Sequence, residues 1–220
     1  MRKLLLVLAT AVFLITNKAV APAEESFIKK TDKEIVQNYK EEVIKDKIQS
    51  KLKANNSNKK LKFINKLLNN NKHLFNDSSM TRIYNISERH DIEPEWIILT
   101  MFKESRINTK AINPFSNAAG VLQWTPRTAR YLGTSTSEIR KMSFYQQLKY
   151  VDKYIKMVNK SHLINSYEDF YLAVFYPKAL GKDLNYVISG KNSLVSKQNK
   201  VISRNGVITV KDFKTYANKI

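Results

Sequence analysis

The chain of 220 residues contains no cysteine, which excludes disulfide bonds and thiolate metal sites. Its three histidines are not spaced like a pair of metal ligands, and we therefore expect neither a metal nor another cofactor. Glycine and proline occur only five times each, and no region alternates apolar and polar residues over the lengths typical of a sheet. These absences favour a mainly α-helical protein.

The first residues have the pattern of a secretion signal. Arg2 and Lys3 precede an apolar run over 4–15, which is too short to span a bilayer comfortably, and small residues follow as far as Ala23. We predict a signal peptide over 1–23, with the mature protein in the periplasm, the cell envelope or the extracellular space. An uncleaved membrane anchor is the alternative interpretation.

The net charge of +19 favours an anionic partner. Nucleic acid, anionic lipid and an acidic cell-wall polymer all satisfy this condition. An AT-rich genome would produce the same excess of lysine, asparagine and isoleucine without any selection for binding. Since no recognised nucleic-acid-binding motif is present and the chain is predicted to be exported, we expect no nucleic-acid partner.

Residues 24–78 form a basic segment that is rich in lysine and asparagine and has no glycine or proline. Apolar residues at helical spacing predict one amphipathic helix over 32–53 and a second over 61–68, with a break at 55–58. One interpretation is a basic arm that contacts an anionic wall or membrane surface. The interpretation we favour is a helical hairpin packed on the domain that follows, since each helix has an apolar stripe.

The third region, 79–220, contains clearer signals for helix ends. We expect Asp77, Ser78 or Ser79 to cap a helix that ends near His90. Pro94 should begin a helix that is apolar on nearly all sides, and Pro126 a short helix. Three pairs have the spacing of a capping box before a further helix: Ser143 with Gln146, Ser166 with Asp169, and Thr209 with Asp212.

The segment with the strongest chemical signal begins where the buried helix ends, at Glu104 and Ser105. Gly120, the first glycine in the chain, follows in the sequence GVLQ over 120–123. A carboxylic acid beside apolar groups has a raised pKa, and such an acid can protonate a glycosidic oxygen. The structural alternative is a helix-terminal Glu104 that pairs with Lys103 or Arg106.

Residues 95–160 resemble the lysozyme-like domain of soluble lytic transglycosylases, which is related to goose-type lysozyme. Glu104 and Ser105 match the Glu-Ser of that family, and residues 119–126, AGVLQWTP, match its Gly-Leu-Met-Gln-x-x-Pro segment. Thr128 and Ala129 match its Thr-Ala. The resemblance implies a mainly α, lysozyme-like fold preceded by the basic helical segment.

The resemblance also implies a function, namely cleavage of the β-1,4 bond between N-acetylmuramic acid and N-acetylglucosamine in peptidoglycan. Glu104 would be the catalytic acid and base, and the muramic C6 hydroxyl would attack to leave a 1,6-anhydro end. Four residues would bind the substrate or support the acid: Ser105, Gln123, Trp124 and Tyr176. For Trp124, packing in the core is an equally good interpretation. We expect a monomer whose partner is the glycan strand, without a metal.

Two departures from the family pattern bear on these expectations. The family's Ala-Tyr-Asn-Ala-Gly segment is replaced by LAVFYPKA over 172–179, a form similar to a branch associated with phages and related bacterial proteins. Val121 stands where leucine is usual.

Two other functions remain open at the level of sequence. A muramidase would hydrolyse the same bond with water, which requires a second carboxylate near Glu104. The candidates for that second group are Asp91, Glu93, Glu138, Asp152, Glu168 and Asp169. The other possibility is a wall-binding protein without catalysis.

Overall fold

The computed structural model describes residues 57–159, 161–203 and 205–219. The chain divides into two compact units, Met1–Lys59 and Lys60–Ile220. The expected signal peptide over 1–23 and the expected helix over 32–53 lie outside the described residues.

The described part of the chain is mainly α-helical, as the sequence predicts. Its helices are α1 (57–70), α2 (Asp77–His90), α3 (Pro94–Ser105), α4 (Pro126–Tyr131), α5 (Thr136–Lys141), α6 (Phe144–Val158), α7 (Tyr167–Phe175), α8 (Leu194–Gln198) and α9 (Val210–Ala217). A 3-10 turn over Pro177–Ala179 follows α7. Two short strands, β1 (Val187–Ser189) and β2 (Ile208–Thr209), pair in antiparallel fashion.

The helix starts follow the predicted capping chemistry in most cases. The capping boxes of Ser143 with Gln146 and of Thr209 with Asp212 are both formed. The expected cap of α2 was wrong, because Asn76 is the N-cap and its Oδ1 accepts a hydrogen bond from Ser79 N at 3.0 Å. Asp77 and Ser78 therefore lie inside the first turn, where Asp77 faces the positive end of the helix dipole.

Helix α1 extends the core towards the N-terminus. It already includes residues 57 and 58, where the sequence suggested a break. Ile64 and Leu67 are buried among the core residues of the second unit. Residues 60–78 thus share a core with the rest of this unit, which begins at Lys60 rather than at the expected residue 79. The short helices α5 and α8 and the two strands were not predicted.

Helix α3 runs through the centre of this core. Five consecutive residues, 97–101, are buried, and α3 packs against both α2 and α7. Helix α6 packs on α2, and α9 packs on α7. The surrounding helices thereby fix the C-terminal end of α3, which carries Glu104. Within the described ranges, no helix is both long and apolar enough to cross a membrane.

Candidate active site

The C-terminus of α3 presents Glu104 in its last turn. Arg106 adopts a left-handed conformation with φ 55°, and its N–H bonds to Phe102 O at 2.9 Å. Ile107, also at positive φ, bonds to Met101 O at 3.2 Å. These two bonds satisfy carbonyls that the helix end leaves free. The chain therefore turns sharply directly after Glu104 and Ser105.

Burial controls the chemistry of the Glu104 carboxyl group. The residue keeps some exposed surface, but enough protein surrounds its carboxyl group that desolvation raises its pKa to about 7. A hydrogen bond from the Tyr171 hydroxyl acts in the opposite direction and limits this rise in pKa. Near neutral pH the group is thus divided between an acid form and a base form, as proton transfer in both directions requires.

Tyrosines surround this carboxyl group. Tyr154 and Tyr171 are both 4 % exposed, and burial raises the pKa of each hydroxyl, with the charge of Glu104 as a further cause. The Tyr154 hydroxyl donates to Ala173 O at 2.8 Å, which anchors α6 to α7. Both hydroxyls stay protonated at neutral pH, so they serve as hydrogen-bond donors near the carboxylate.

Neither neighbouring cation neutralises Glu104. Lys103 Nζ instead donates to Lys219 O at 2.7 Å and lies 4.6 Å from the centroid of the Tyr216 ring. The Arg106 guanidinium stacks on the Phe102 ring at 4.3 Å. The ion pair that the structural alternative required is therefore not formed with either residue.

The 120–123 turn is attached directly to the end of α3. The Ser105 hydroxyl lies within hydrogen-bonding distance of Val121 O at 3.0 Å and of Met101 O at 3.1 Å. Gly120 has φ +79°, and an added Cβ would lie 2.5 Å from Ile139 Cγ2 and 2.7 Å from Gln147 Oε1. The turn therefore requires glycine both for its backbone conformation and for space.

Gln147 on α6 forms hydrogen bonds to the buried side of this turn. The sequence analysis did not identify Gln147 as part of the site. Its side chain is fully buried; Oε1 accepts from Val121 N at 3.0 Å, and Nε2 donates to Thr109 O and Ile139 O at 2.8 Å each. Buried amides are found where every polar atom has a partner. One feature of the sequence could have identified it: Gln147 lies one helical turn before Val151, on the face of α6 that was predicted to be apolar.

Gln123 ends the turn in a left-handed conformation with φ 49°. Its Nε2 donates to Gly120 O at 3.0 Å, which orients the amide. The side chain is partly exposed, and no hydrogen bond to another described residue uses its Oε1. An oriented amide with an unused acceptor is suited to binding a hydroxyl or an acetamido N–H group.

Two of the expected substrate contacts, Trp124 and Tyr176, are wholly or partly buried. Trp124 is only 2 % exposed and is held by paired backbone bonds with Ala119 of 2.9 and 3.0 Å, so its ring offers no open face for stacking on a sugar. Tyr176 is partly buried beyond the end of α7 and packs on the cluster that contains Leu99. The tyrosine whose hydroxyl lowers the pKa of Glu104 is Tyr171, which lies earlier on the same helix.

Most of the other candidate carboxylates have partners of their own. Asp152 pairs with Arg89 and with His90 Nε2, the latter at 2.7 Å. Asp169 pairs with Lys214 at 2.7 Å, and Glu138 with Lys141 at 2.9 Å. Asp91 and Glu93 are the C-cap of α2 and the N-cap of α3, and Glu168 acts electrostatically on Lys60. The described residues contain no cluster of three or more metal-ligating side chains.

No family model matches this chain, and no curated protein matches it significantly. The reactions that the site can support are therefore inferred from three features of its geometry. They are a carboxyl group that titrates near pH 7, a tyrosine donor beside it, and a rigid turn that presents an amide.

Proposed function

We propose that residues 60–220 form a lysozyme-like domain that cleaves peptidoglycan as a lytic transglycosylase. One observation carries this proposal: burial raises the pKa of Glu104 to about 7, and Ser105, its neighbour at the end of α3, contacts the turn that holds Gln123. A lone carboxyl group of this kind is suited to acid and base catalysis in one cycle. The resemblance of residues 95–160 to the transglycosylase domain supplies the bond that is cut.

The proposed reaction moves one proton through Glu104. The protonated carboxyl group donates to the glycosidic oxygen between N-acetylmuramic acid and N-acetylglucosamine, and the bond from muramic C1 to that oxygen breaks. The carboxylate then accepts the proton of the muramic C6 hydroxyl while the C6 oxygen forms a bond to C1. The products are a new 4-hydroxyl on the glucosamine and a 1,6-anhydro ring on the muramic acid, and no water is consumed.

The surroundings of Glu104 support a reaction with a single carboxylate. A hydrolase of the two-carboxylate type needs a second group to activate water. Asp152, Asp169 and Glu138 are each engaged by a cation of their own. An internal hydroxyl nucleophile does not need such a base, because Glu104 itself takes the proton in the second step.

The neighbouring residues have separate roles in this scheme. Tyr171 donates to the Glu104 carboxylate and stabilises the charge that appears after the first proton transfer. Gln123 binds the sugar through its amide, and Ser105 keeps the 120–123 turn at a fixed position relative to α3. Tyr176 is partly exposed and remains a candidate contact, whereas we leave Trp124 out because its ring is buried.

The cellular setting forms part of the same proposal. Residues 1–23 have the pattern of a signal peptide, and the substrate lies outside the cytoplasmic membrane. The high positive charge suits an anionic wall or membrane surface. We propose that the protein acts as a monomer on glycan strands, without a cofactor.

Mass analysis of the muropeptides released from purified sacculi by the full chain tests this function. We expect products with 1,6-anhydro ends, each lighter by one water than the corresponding reducing product. Products with only reducing ends would show hydrolysis and overturn the transglycosylase mechanism. No release of muropeptides from sacculi that a known muramidase digests would overturn the enzymatic function itself.

A further inference from the structure

Two buried hydroxyl groups of the core form no hydrogen bond of ordinary geometry with another described residue. They are Thr100 Oγ1 on α3 and the Tyr167 hydroxyl on α7. Thr100 is fully buried, and Tyr167 is 3 % exposed. A buried donor without an acceptor is costly, and native proteins retain few of them. Packing alone does not explain why the core retains this pair.

The helical register places the pair one turn before Glu104 and Tyr171. Thr100 precedes Glu104 by four residues on α3, and Tyr167 precedes Tyr171 by four residues on α7. Residues four apart lie on one face of a helix. Helix α3 packs on α7, and the rings of Tyr167 and Tyr171 stack with their centroids 6.1 Å apart. The two facing helices thus make two successive contacts, Tyr171 with Glu104 and Tyr167 with Thr100.

The direction of the Glu104 side chain brings its carboxyl group towards Thr100. Long side chains on an α-helix point back towards the N-terminus and cover the residues three and four positions earlier. Burial raises the pKa of the Tyr167 hydroxyl, the Thr100 hydroxyl opposes this rise, and the charge of Glu104 is a further cause of it. Tyr167 therefore lies beside Thr100 and within electrostatic range of Glu104.

We propose that Thr100 and Tyr167 are positioning residues for Glu104, joined in a chain of hydrogen bonds that runs from Tyr167 through Thr100 to the carboxylate. This inference rests on the proposed function. The Tyr167 O–H donates to Thr100 Oγ1, and the Thr100 O–H donates to Glu104 once the carboxyl group has given up its proton. Each hydroxyl keeps its own proton. Both unpaired donors gain an acceptor at the step in which the negative charge appears, and Tyr171 donates to the same carboxylate from α7.

The charged and titratable groups of the surrounding elements stay in place in the test below. Lys60 approaches from α1, with its Nζ 4.3 Å from the centroid of the Tyr167 ring. The cations of α2 face α6 instead, where Arg89 pairs with Asp152. Further groups act on Tyr167 or respond to the charge of Glu104: Tyr154 of α6, Glu168 and Tyr171 of α7, and Tyr216 of α9. Because the substitutions alter none of these groups, a shift in the titration of Glu104 reports on the two hydroxyls.

Four substitutions isolate the hydroxyl groups. Thr100→Val removes the hydroxyl and keeps the branched shape of the side chain. Thr100→Ser keeps the hydroxyl and is the conservative variant. Tyr167→Phe removes the first donor of the chain. The matched control is Ser87→Ala, which removes another buried hydroxyl that has no partner among the described residues, on α2 rather than on α3 or α7.

Carbon NMR of the full chain, labelled at the side-chain carboxyl carbon of glutamate, follows the titration of Glu104 without substrate. The spectrum of Glu104→Gln identifies the signal. A hydrogen bond to the charged form is lost in Thr100→Val, so the midpoint should rise by about 0.5–1 pH unit. Tyr167→Phe should raise it less, because the Thr100 O–H remains. Thr100→Ser and Ser87→Ala should leave it unchanged. The alkaline limb of muropeptide release should shift with the NMR midpoint.

The outcomes separate this inference from the proposed function. An unchanged midpoint in Thr100→Val, with higher stability to denaturant at every pH, would show that the hydroxyl is only an unsatisfied group and would overturn the inference. Equal shifts in Thr100→Val and Ser87→Ala would overturn it too, because a general change in packing would then be the cause. Circular dichroism checks the fold, and Tyr167→Phe repeats the test if Thr100→Val does not fold. Shifted midpoints in a chain that releases no muropeptides would overturn the proposed function, while the link from Thr100 to Glu104 would stand.

Discussion

Glu104 and Asp152 are both carboxylates on helices of the core, and their surroundings are opposite. Asp152 lies between Arg89 and His90, so its negative charge is balanced by groups at its side. Glu104 lies next to the Tyr171 hydroxyl, and burial raises its pKa to about 7. The charge of Asp152, which links two helices, is compensated by neighbouring groups. Glu104, which in the proposed reaction must gain and lose a proton, has no counter-ion.

The largest expected difference between the two residues is in activity. Glu104→Gln removes the transferable proton and should reduce the release of muropeptides from sacculi by about 10²- to 10⁴-fold, the range typical of a lost general acid or base. Asp152→Asn makes the same change from carboxylate to amide and should leave most of the activity. The measurement is the initial rate of release at equal concentrations of folded protein.

Circular dichroism of both variants provides the control for folding. If Glu104→Gln kept full activity, or if Asp152→Asn lost as much activity as Glu104→Gln, the assignment of the two roles would be wrong.

A second comparison concerns glycines with the same backbone conformation. Gly120 and Gly133 both have φ +79°, but an added Cβ at Gly133 meets nothing within 4 Å. Gly133→Ala should therefore cost about 1 kcal/mol of unfolding free energy for the backbone alone. Gly120→Ala adds overlap with Ile139 and Gln147, so about 2–4 kcal/mol is expected.

Chemical denaturation measures both free energies under the same conditions. Equal losses of stability in the two alanine variants would show that the 120–123 turn relaxes freely, and would weaken the view that Gln147 holds it rigid.

The helices were more predictable than the site. Capping residues and prolines act locally, so α3, α4, α6, α7 and α9 were predicted to begin close to where they begin in the structure. Glu104, Ser105 and the 120–123 turn stood out because a glycine and polar residues follow a buried helix. The position of α1 in the core was less clear, since the sequence shows that an apolar stripe needs a partner but does not identify the partner.

The other parts of the site depend on contacts between distant residues. Tyr171 reaches Glu104 from a helix that is separate in sequence, and nothing in the local pattern distinguishes it from Tyr176. Gln147 bonds to Val121 across the core. Trp124 was proposed as a sugar contact from its place in the motif, but the backbone pairing with Ala119 buries it.

The pH dependence of stability distinguishes the same two carboxylates more finely. The pKa of Glu104 rises from 4.5 to about 7 on folding, so between these values the native state holds more protons than the unfolded state. The free energy of unfolding therefore falls as pH rises through this range. Glu104→Gln removes this loss and should be more stable than the wild type by about 1–3 kcal/mol at pH 8.

Denaturation of the two proteins at pH 4 and pH 8 measures this effect, and the difference between them should be smaller at pH 4. Asp152→Asn should instead lose up to about 1 kcal/mol at pH 8, because the partly exposed ion pair with Arg89 is removed. A Glu104→Gln variant that is less stable than the wild type at pH 8 would contradict the uncompensated burial of this carboxyl group.

The smallest expected effect concerns the two tyrosines near Glu104. If the acid form of Glu104 is required, activity falls as pH rises above its pKa of about 7. The Tyr171 hydrogen bond favours the charged form and thus lowers this pKa, so Tyr171→Phe should move the alkaline limb of the rate profile upward by up to about one pH unit. Tyr154→Phe loses a bond to Ala173 O instead and should reduce stability without moving the limb. A limb that shifts downward in Tyr171→Phe, or that shifts equally in both variants, would show that the Tyr171 hydroxyl does not tune the acid.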